Sequence, residues 1–279
     1  MNSSRNKNTY SATDIVKYFT KLSWLQPAEA AVLKRFQPQL TNMKLLDIGV
    51  GGGRTTLHFA PSVKQYIGID YSTKMIAACQ KRFENSEHPM SFKVCDARDL
   101  SQFEDNLFDF ILFSYNGIDY ASHEDRLKIL AEVKRVGKPG CYFFFSTHNL
   151  QALKKELSWR GQLNINPIEI YVNLVRFGLF WLFNMPLIGQ KIADFDYLIV
   201  RDDSHLYRLN TYYIQAAQQL KQLSQDFESI EIYPWKSQES LLDLDAPIME
   251  TELWLYYLCQ IKSGSCSKQA SESVKKSSE

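Results

Sequence analysis

The 279 residues are enough for one large α/β domain, or for a domain with a substantial insertion. A composition of 45% hydrophobic and 23% charged residues is typical of a soluble globular protein and argues against a disordered or membrane-spanning chain. The net charge of +1 carries no overall electrostatic signature of nucleic-acid binding, so we expect no nucleic-acid partner.

The cysteines and the first residues bear on the compartment. The five cysteines are scattered and lack the C-x-x-C spacing of a zinc site. Four of them lie in segments that we predict to be helix or buried strand, which favours free thiols in a reducing compartment. Residues 1–10 are polar and contain no apolar signal-peptide core. We therefore expect a cytoplasmic protein without a metal site.

Two helices are predicted ahead of the first strand. The segment Ser11–Asp14 precedes a run with helical apolar periodicity and is typical of a helix start. Pro27 stands where proline is favoured, at the first position of a second helix. We predict that residues 1–40 form an N-terminal helical cap.

A glycine-rich turn follows the first predicted strand. The apolar run Leu45–Ile48 predicts a buried parallel strand. Gly49, Gly51 and Gly53 let the backbone turn sharply and lie close against a ligand, because glycine accepts positive φ and has no side chain. The free N–H groups of the helix that follows would point at the same ligand.

The spacing and charge of this turn indicate the kind of ligand. A dinucleotide-binding fingerprint needs its third glycine at the position that Arg54 occupies. Asp47, near the end of the strand, would repel a pyrophosphate and attract a cation. The turn therefore favours a positively charged ligand over NAD.

The second predicted strand, Gln65–Asp70, also ends in a carboxylate. Asp70 stands where an acidic side chain can accept hydrogen bonds from both hydroxyls of a ribose. Its alternative role is to cap the predicted helix 72–85, a role that Ser72 also offers. The third predicted strand, Ser91–Cys95, runs into Asp96.

The stretch LLDIGVGGGR, with carboxylates at three successive strand ends, resembles motif I and its neighbours in the class I S-adenosylmethionine-dependent methyltransferases. The resemblance implies S-adenosylmethionine as cofactor and S-adenosylhomocysteine as product, and N-terminal helices that often close over them. It implies these cofactor-binding residues: Asp47, Gly49, Gly51, Gly53, Asp70, Tyr71, Met75, Asp96, Ala97 and Ser114. In the family, Met75 would pack against adenine, Asp96 would accept from its amino group, and the Ala97 backbone would donate to the ring.

Strands and helices continue to alternate as far as residue 148. A strand at Phe108–Phe113 precedes a helix at 127–136, a turn at Gly137–Gly140 and a fifth strand at Cys141–Ser146. This alternation predicts a parallel, doubly wound α/β sheet. With the resemblance, the expected fold is a seven-stranded, mostly parallel Rossmann-like sheet whose cofactor-binding core spans 41–148.

An insertion at 149–209 interrupts the alternation and is too long for an ordinary loop, so we expect a lid with its own helices. Its segment 168–188 is the most apolar of the chain. The alternatives for this segment are a helix packed on the core, an apolar substrate pocket and a membrane-facing surface. The segment is interrupted by Asn173, Arg176 and Pro186, and membrane association is the least favoured of the three.

The last predicted elements complete the sheet. They are a helix at Thr211–Gln225, a sixth strand at Glu228–Trp235 and a seventh at Leu253–Ile261, which is antiparallel in the family. We assign residues 210–262 to the core. The tail 263–279 is rich in Ser and Lys, which predicts disorder.

Methyl transfer needs a nucleophile placed in line with the methyl group and, for many acceptors, a group that takes a proton. His148 follows the fifth strand and is the first candidate base, and His123 is the second. Tyr115 stands beside the expected methyl position. His205 and Tyr207 are further candidates in the insertion.

The acceptor has no comparable signature. The chain lacks an Asn-Pro-Pro-Tyr tetrad and a basic RNA-binding domain, so we expect a small-molecule or peptide acceptor methylated on O or N. The aromatic insertion favours a hydrophobic or aromatic acceptor of natural-product type. Two alternatives stay open, a non-catalytic S-adenosylmethionine-binding protein and an NAD-dependent oxidoreductase, and the sequence leaves both monomer and homodimer open.

Overall fold

A computed structural model describes residues 12–157, 167–203, 207–241 and 247–263. The helices in these ranges are α1 (Thr13–Lys21), α2 (Pro27–Leu40), α3 (Thr56–Phe59), α4 (Thr73–Arg82), α5 (His123–Val136), α6 (Leu150–Glu156), α7 (Pro167–Phe183) and α8 (Ala216–Leu223). The strands are β1 (Lys44–Ile48), β2 (Gln65–Asp70), β3 (Met90–Val94), β4 (Phe108–Phe113), β5 (Gly137–Asn149), β6 (Tyr197–Val200), β7 (Thr211–Ile214), β8 (Phe227–Pro234) and β9 (Trp254–Ile261).

Seven of the strands pair side by side in the order β3-β2-β1-β4-β5-β9-β8. The pairs among β1 to β5 in this order are parallel, and β9 is antiparallel to both β5 and β8. The predicted seven-stranded, mostly parallel sheet with an antiparallel seventh strand is therefore confirmed.

Apolar side chains cover both faces of this sheet. Along β5, Phe143 and Phe145 point into one hydrophobic cluster and Phe144 into the other, because successive side chains of a strand face opposite sides. Helix α5 packs in the first cluster through Val133, and helix α2 packs in the second through Phe36. Because the paired strands are parallel, their carboxyl ends lie at the same edge of the sheet. The helices cover the two faces and leave this edge open.

The structure differs from the sequence prediction in the length of β5. The segment Gly137–Gly140, predicted as a turn, is the first part of the strand, and a register irregularity opposite β4 accommodates it. At its other end β5 extends to Asn149, beyond the position that pairs with Phe113, the last residue of β4. On the side of β4, the edge of this extension is therefore open to backbone hydrogen bonds from another strand.

A two-stranded addition fills that edge. β7 pairs with the end of β5 at His148↔Tyr213, and β6 pairs with β7 as an antiparallel hairpin. The prediction of a helix from Thr211 was wrong for its first four residues, because pairing with β5 overrides the helical spacing in this aromatic, β-branched segment. The helix begins at Ala216.

The inserted range combines helices with strand β6. A separate hydrophobic cluster holds α6 and α7 against the β6–β7 hairpin through Leu153, Phe180 and Leu198. No helix in the described ranges is both long and apolar enough to cross a bilayer. His205 and residues 264–279, nearly all of the tail predicted to be disordered, lie outside the described residues.

Candidate active site

A cavity of about 310 Å³ opens at the carboxyl ends of the parallel strands, beneath helix α1. It lies where the topology of an open α/β sheet places a ligand crevice. The following predicted site residues line it: Asp47, Gly49, Gly51, Asp70, Tyr71, Met75, Ala97, Ser114, Tyr115 and His148.

The glycine turn after β1 has the backbone conformation that only glycine adopts readily. Gly49, Gly51 and Gly53 have φ of +66°, +56° and +79°. Gly52 meets helix α1 directly, since a Cβ atom there would lie 2.4 Å from the backbone carbonyl carbon of Phe19. Gly53 faces away from the cavity, where a Cβ would lie 2.5 Å from the ring of Phe83. The turn is therefore closed in by backbone on one side and open to the cavity on the other.

Asp70 ties the glycine turn to the end of β2. One carboxylate oxygen, Oδ2, accepts from the N–H of Gly51 at 3.1 Å, and Oδ1 accepts from the N–H of Ser72 at 2.8 Å. Ser72 itself caps α4 by accepting from the N–H of Met75. Burial raises the pKa of Asp70 to about 6, although these two hydrogen bonds oppose the rise.

Asp47 is the second buried carboxylate of the cavity wall. Its Oδ2 accepts from the Oγ1 of Thr55 at 2.5 Å and from the hydroxyl of Tyr66. Burial raises the pKa of Asp47 to about 6, against the effect of these donors. Arg54 favours the ionised form of Asp47 from a distance, but within the described ranges neither Asp47 nor Asp70 forms an ion pair. This wall is therefore suited to a positively charged ligand.

A buried ion pair, which the sequence analysis missed, supports the other side of the cavity. Arg54 contacts both carboxylate oxygens of Glu29, at 2.5 and 2.6 Å. Burial opposes ionisation, but the Arg54 guanidinium holds the pKa of Glu29 below its ordinary value. The same carboxylate accepts from the hydroxyls of Ser114 and Tyr256. The arginine in place of a third glycine was the available signal; nothing in the sequence pointed to Glu29 as its partner.

His148 is held by Asp119, a residue that the sequence analysis did not select. The Oδ2 atom of Asp119 lies 2.7 Å from Nδ1 of His148 and accepts from its backbone N–H, also at 2.7 Å. The other oxygen accepts from Arg126 and Thr147, both at 2.6 Å. Because a carboxylate only accepts, it favours the proton on Nδ1 and leaves the lone pair on Nε2, which lies 3.4 Å from Nδ2 of Asn116.

Tyr115 lies among aromatic rings at the mouth of the cavity. Its φ of +59° turns the loop after β4, a conformation that is uncommon outside glycine. The Arg54 guanidinium lies 4.9 Å from its ring centroid, and the rings of Phe19 and Trp254 contact it edge-on. Burial raises the pKa of Tyr115, so its hydroxyl stays protonated near neutral pH.

Four of the predicted site residues do not line the cavity. Gly53 lies behind it, as described above. Asp96 forms an ion pair with Arg98 at 2.6 Å, although the adjacent Ala97 does line the cavity. His123 stacks on Tyr197 of β6, with ring centroids 4.3 Å apart. Tyr207, the further candidate, donates to the carbonyl of Arg176 instead of facing the cavity.

Comparison with known proteins connects this geometry to a family. Residues 45–140 match the family model described as "Methyltransferase domain". The uncharacterized methyltransferase YcgJ of Bacillus subtilis is 33% identical over 106 residues, or 38% of this chain and 40% of that protein. The ubiquinone biosynthesis O-methyltransferase of Methylococcus capsulatus is 27% identical over 111 residues, or 39% of this chain and 45% of that protein. The matches thus span less than half of these relatives.

The fold has solved counterparts over nearly its whole length. The N-methyltransferase NodS of Bradyrhizobium japonicum, solved in complex with S-adenosylhomocysteine, is 15% identical with a TM-score of 0.53, covering 91% of this chain and 98% of that one. At this identity the likeness concerns the fold alone. Residues 45–140, which match the family model, contain the glycine turn, β2, β4 and all but the first residue of β1, and these form most of the cavity. Residues 45–140 of this chain are therefore identified as a methyltransferase domain, and nearly the whole chain shares its fold with solved methyltransferases.

Proposed function

We propose that the protein transfers the methyl group of S-adenosylmethionine to an oxygen or nitrogen nucleophile of a small-molecule or peptide acceptor, with His148 as general base. One observation carries the proposal. The Asp119-held His148 lines the same cavity as the glycine turn and Asp70, so the base and the expected cofactor site share one enclosed space.

The cofactor end of the cavity suits S-adenosylmethionine in both shape and charge. The positive-φ glycines leave a cradle without side chains, and the buried carboxylates of Asp47 and Asp70 favour the ammonium and sulfonium charges. Asp70 would accept from the ribose hydroxyls, and Met75 would pack against adenine. Bound there, the cofactor supplies a methyl group that its sulfonium has already activated.

The chain's own chemistry lies in positioning and proton removal. His148 would take the acceptor's O–H or N–H proton on Nε2. The fully buried Asp119 would keep the imidazole in the required tautomer and stabilise the imidazolium that forms. Arg126, also fully buried, balances the charge of Asp119. The assembly therefore supplies a base that needs no rearrangement when the proton moves.

The acceptor end is aromatic. Tyr115, Trp254 and Phe19 line it together with His148. Rings of this kind favour a planar or apolar acceptor and help to exclude water. The Methylococcus relative is named as an O-methyltransferase and the Bradyrhizobium structure as an N-methyltransferase, so both target atoms remain within the proposal.

Two measurements, a binding titration and then an activity assay, test the proposed function. Calorimetric titration of the purified protein with S-adenosylmethionine, S-adenosylhomocysteine and NAD should give micromolar affinity for the first two and none for NAD. The Asp70→Ala variant should lose most of that affinity. A labelled-methyl assay over phenol, amine and carboxylate acceptors then distinguishes an enzyme from the alternative, a non-catalytic S-adenosylmethionine-binding protein. Absence of binding to both adenosyl compounds would contradict the proposed function.

A further inference from the structure

Helix α7 carries apolar side chains on two opposite faces. The inward face includes Phe177 and Phe180, and Phe180 is buried in the cluster with the β6–β7 hairpin. On the opposite face lies a line of residues that we call the outward stripe: Ile168, Tyr171, Val175, Gly178 and Leu182. An amphipathic surface helix buries one apolar face and exposes a polar one. In α7 the second face is apolar as well.

The outward stripe has the spacing of a helix pair. Its residues follow one another at intervals of three and four, which places them along one line of the helix as in the contact face of a two-stranded coiled coil. Ile168, Tyr171 and Leu182 are 72%, 69% and 59% exposed. At Gly178 a Cβ atom would meet nothing within 4 Å, so the helix backbone itself is open to a close approach.

The exposed area is that of an interface. The large side chains of the outward stripe and the two residues that flank it, Val172 and Leu174, are between 40% and 72% exposed. At roughly 200 Å² for a fully exposed large residue, they present on the order of 600–700 Å². Two such surfaces would bury roughly 1,200–1,400 Å², which lies within the ~1,200–2,000 Å² of specific interfaces.

We propose that the outward stripe is a homodimer interface, in which α7 packs against α7 of a second copy across a two-fold axis. A two-fold contact is self-complementary, because the same surface of each copy meets the other. The stripe combines large residues with a single glycine, so a large side chain of one copy can pack over Gly178 of the other. The cluster that anchors α7 also includes Tyr213, the register partner of His148. The interface would thus reinforce the hairpin beside the proposed base.

A second copy fits this surface better than a lipid bilayer. Helices that lie on membranes place Lys and Arg beside their apolar face. Arg176 is the one basic residue within α7, and it already pairs with Asp203 at 3.6 Å. Glu169 and Arg176 both lie to one side of the outward stripe, leaving the stripe itself uncharged.

The oligomeric state of the full chain tests the proposal. Light scattering and sedimentation velocity at 1–100 μM should give twice the chain mass of 32.4 kDa. Tyr171→Glu and Leu182→Glu should each weaken the dimer at least ~100-fold, because each places two carboxylates in an apolar contact. Leu127→Glu is the matched control, since Leu127 is 44% exposed on α5, away from the stripe. It should remain dimeric.

Each outcome decides the matter. A wild-type chain that is monomeric at 100 μM overturns the proposal. So does a dimer that both stripe variants leave intact, because the interface then lies elsewhere. A monomer that floats with phosphatidylcholine–phosphatidylglycerol vesicles identifies the stripe as a lipid surface instead. Circular dichroism confirms that each variant is folded, and the wild-type mass alone still decides if one variant is not.

Discussion

His148 and Asp119 are joined through both the side chain and the backbone of the histidine. One carboxylate oxygen, Oδ2, lies 2.7 Å from the imidazole Nδ1 and 2.7 Å from the backbone nitrogen of the same residue. The ring therefore has little freedom to rotate, and its Nε2 stays directed toward Asn116 and the cavity.

This geometry predicts the effect of removing the base. His148→Ala should lower turnover at least ~100-fold and leave S-adenosylmethionine affinity unchanged, because the imidazole acts on the acceptor proton and not on the cofactor. Single-turnover rates with an acceptor from the labelled-methyl screen, together with calorimetric affinities, measure both effects. Unchanged turnover would mean that the protein works by orientation alone.

Asp119→Asn separates the orienting role from packing. The amide keeps the size of the side chain but can donate to Nδ1, which would leave the proton on Nε2 and remove the base. We expect a loss of turnover at least ~10-fold, with cofactor affinity preserved. The rate should also show a changed dependence on pH. A lower free energy of unfolding, without a change in the pH dependence of the rate, would assign Asp119 a purely structural role.

The buried carboxylates predict a pH-dependent affinity. The folded pKa of about 6 for Asp47 and Asp70 lies above the ordinary value of 3.8, so the folded, ligand-free protein loses stability as pH rises from about 4 to 6. A cationic ligand favours the ionised carboxylates, and binding should therefore release protons below pH 6. We expect S-adenosylmethionine affinity to rise at least ~10-fold between pH 5 and 7.

Asp70→Ala and Asp47→Asn test the two groups separately. Loss of charge-assisted hydrogen bonds should weaken binding by ~1–3 kcal/mol in Asp70→Ala. Asp47→Asn should flatten the pH dependence and stabilise the ligand-free protein above pH 6. Calorimetry in buffers of different ionisation enthalpy counts the released protons. Affinity that is independent of pH in the wild-type protein would argue against a cation beside these carboxylates.

The Glu29–Arg54 pair predicts a large loss of stability from a single truncation. Arg54→Ala leaves the fully buried Glu29 carboxylate without its cation, which should cost about 3–5 kcal/mol in the free energy of unfolding. Lys134→Ala, which breaks the exposed pair with Asp226, should cost less than ~1 kcal/mol. Urea unfolding at pH 7 compares the two. Similar small losses would show that Glu29 finds other partners.

The close contact between Gly52 and helix α1 predicts that a larger residue at this position would displace the helix. A Cβ at Gly52 would overlap the backbone of Phe19 and Thr20, which cannot rotate away, so Gly52→Ala should displace α1. Hydrogen exchange over 12–21 should increase and cofactor affinity should fall, because Phe19 lines the cavity. Unaltered exchange in Gly52→Ala would show that α1 is not held at this contact.

Short-range sequence patterns were enough to bring the glycine turn and two of the predicted carboxylates to one cavity. The glycine turn, Asp47 and Asp70 follow from strand ends and spacing, and all lie on one cavity wall. Spacing was not enough for Asp96, whose carboxylate pairs with Arg98 two residues later. A nearby cation can engage a carboxylate in a way that strand position does not reveal.

The rest of the cavity depends on long-range contacts, which a single sequence does not encode in its spacing. Asp119, in the segment after β4, contacts His148 of β5, and Glu29 of α2 contacts Arg54 beside the cavity. His123 was the second candidate base because it follows the fourth strand, yet it stacks on Tyr197 of the hairpin. The strand at Thr211–Ile214 was missed for the same reason, since its partner is the extended end of β5.

The overhang of β5 beyond β4 has a consequence for how such a protein can diversify. But for Lys44, the strands from β1 to β4 lie within residues 45–140, the part that matches the methyltransferase family model. The hairpin lies outside that part and pairs with β5 at His148 and Asn149. Backbone hydrogen bonds of this kind do not require particular side chains. A different inserted segment could dock on the same overhang without disturbing the glycine turn. The end of β5 is thus a point at which a chimaera could exchange its inserted segment and keep the glycine turn unchanged.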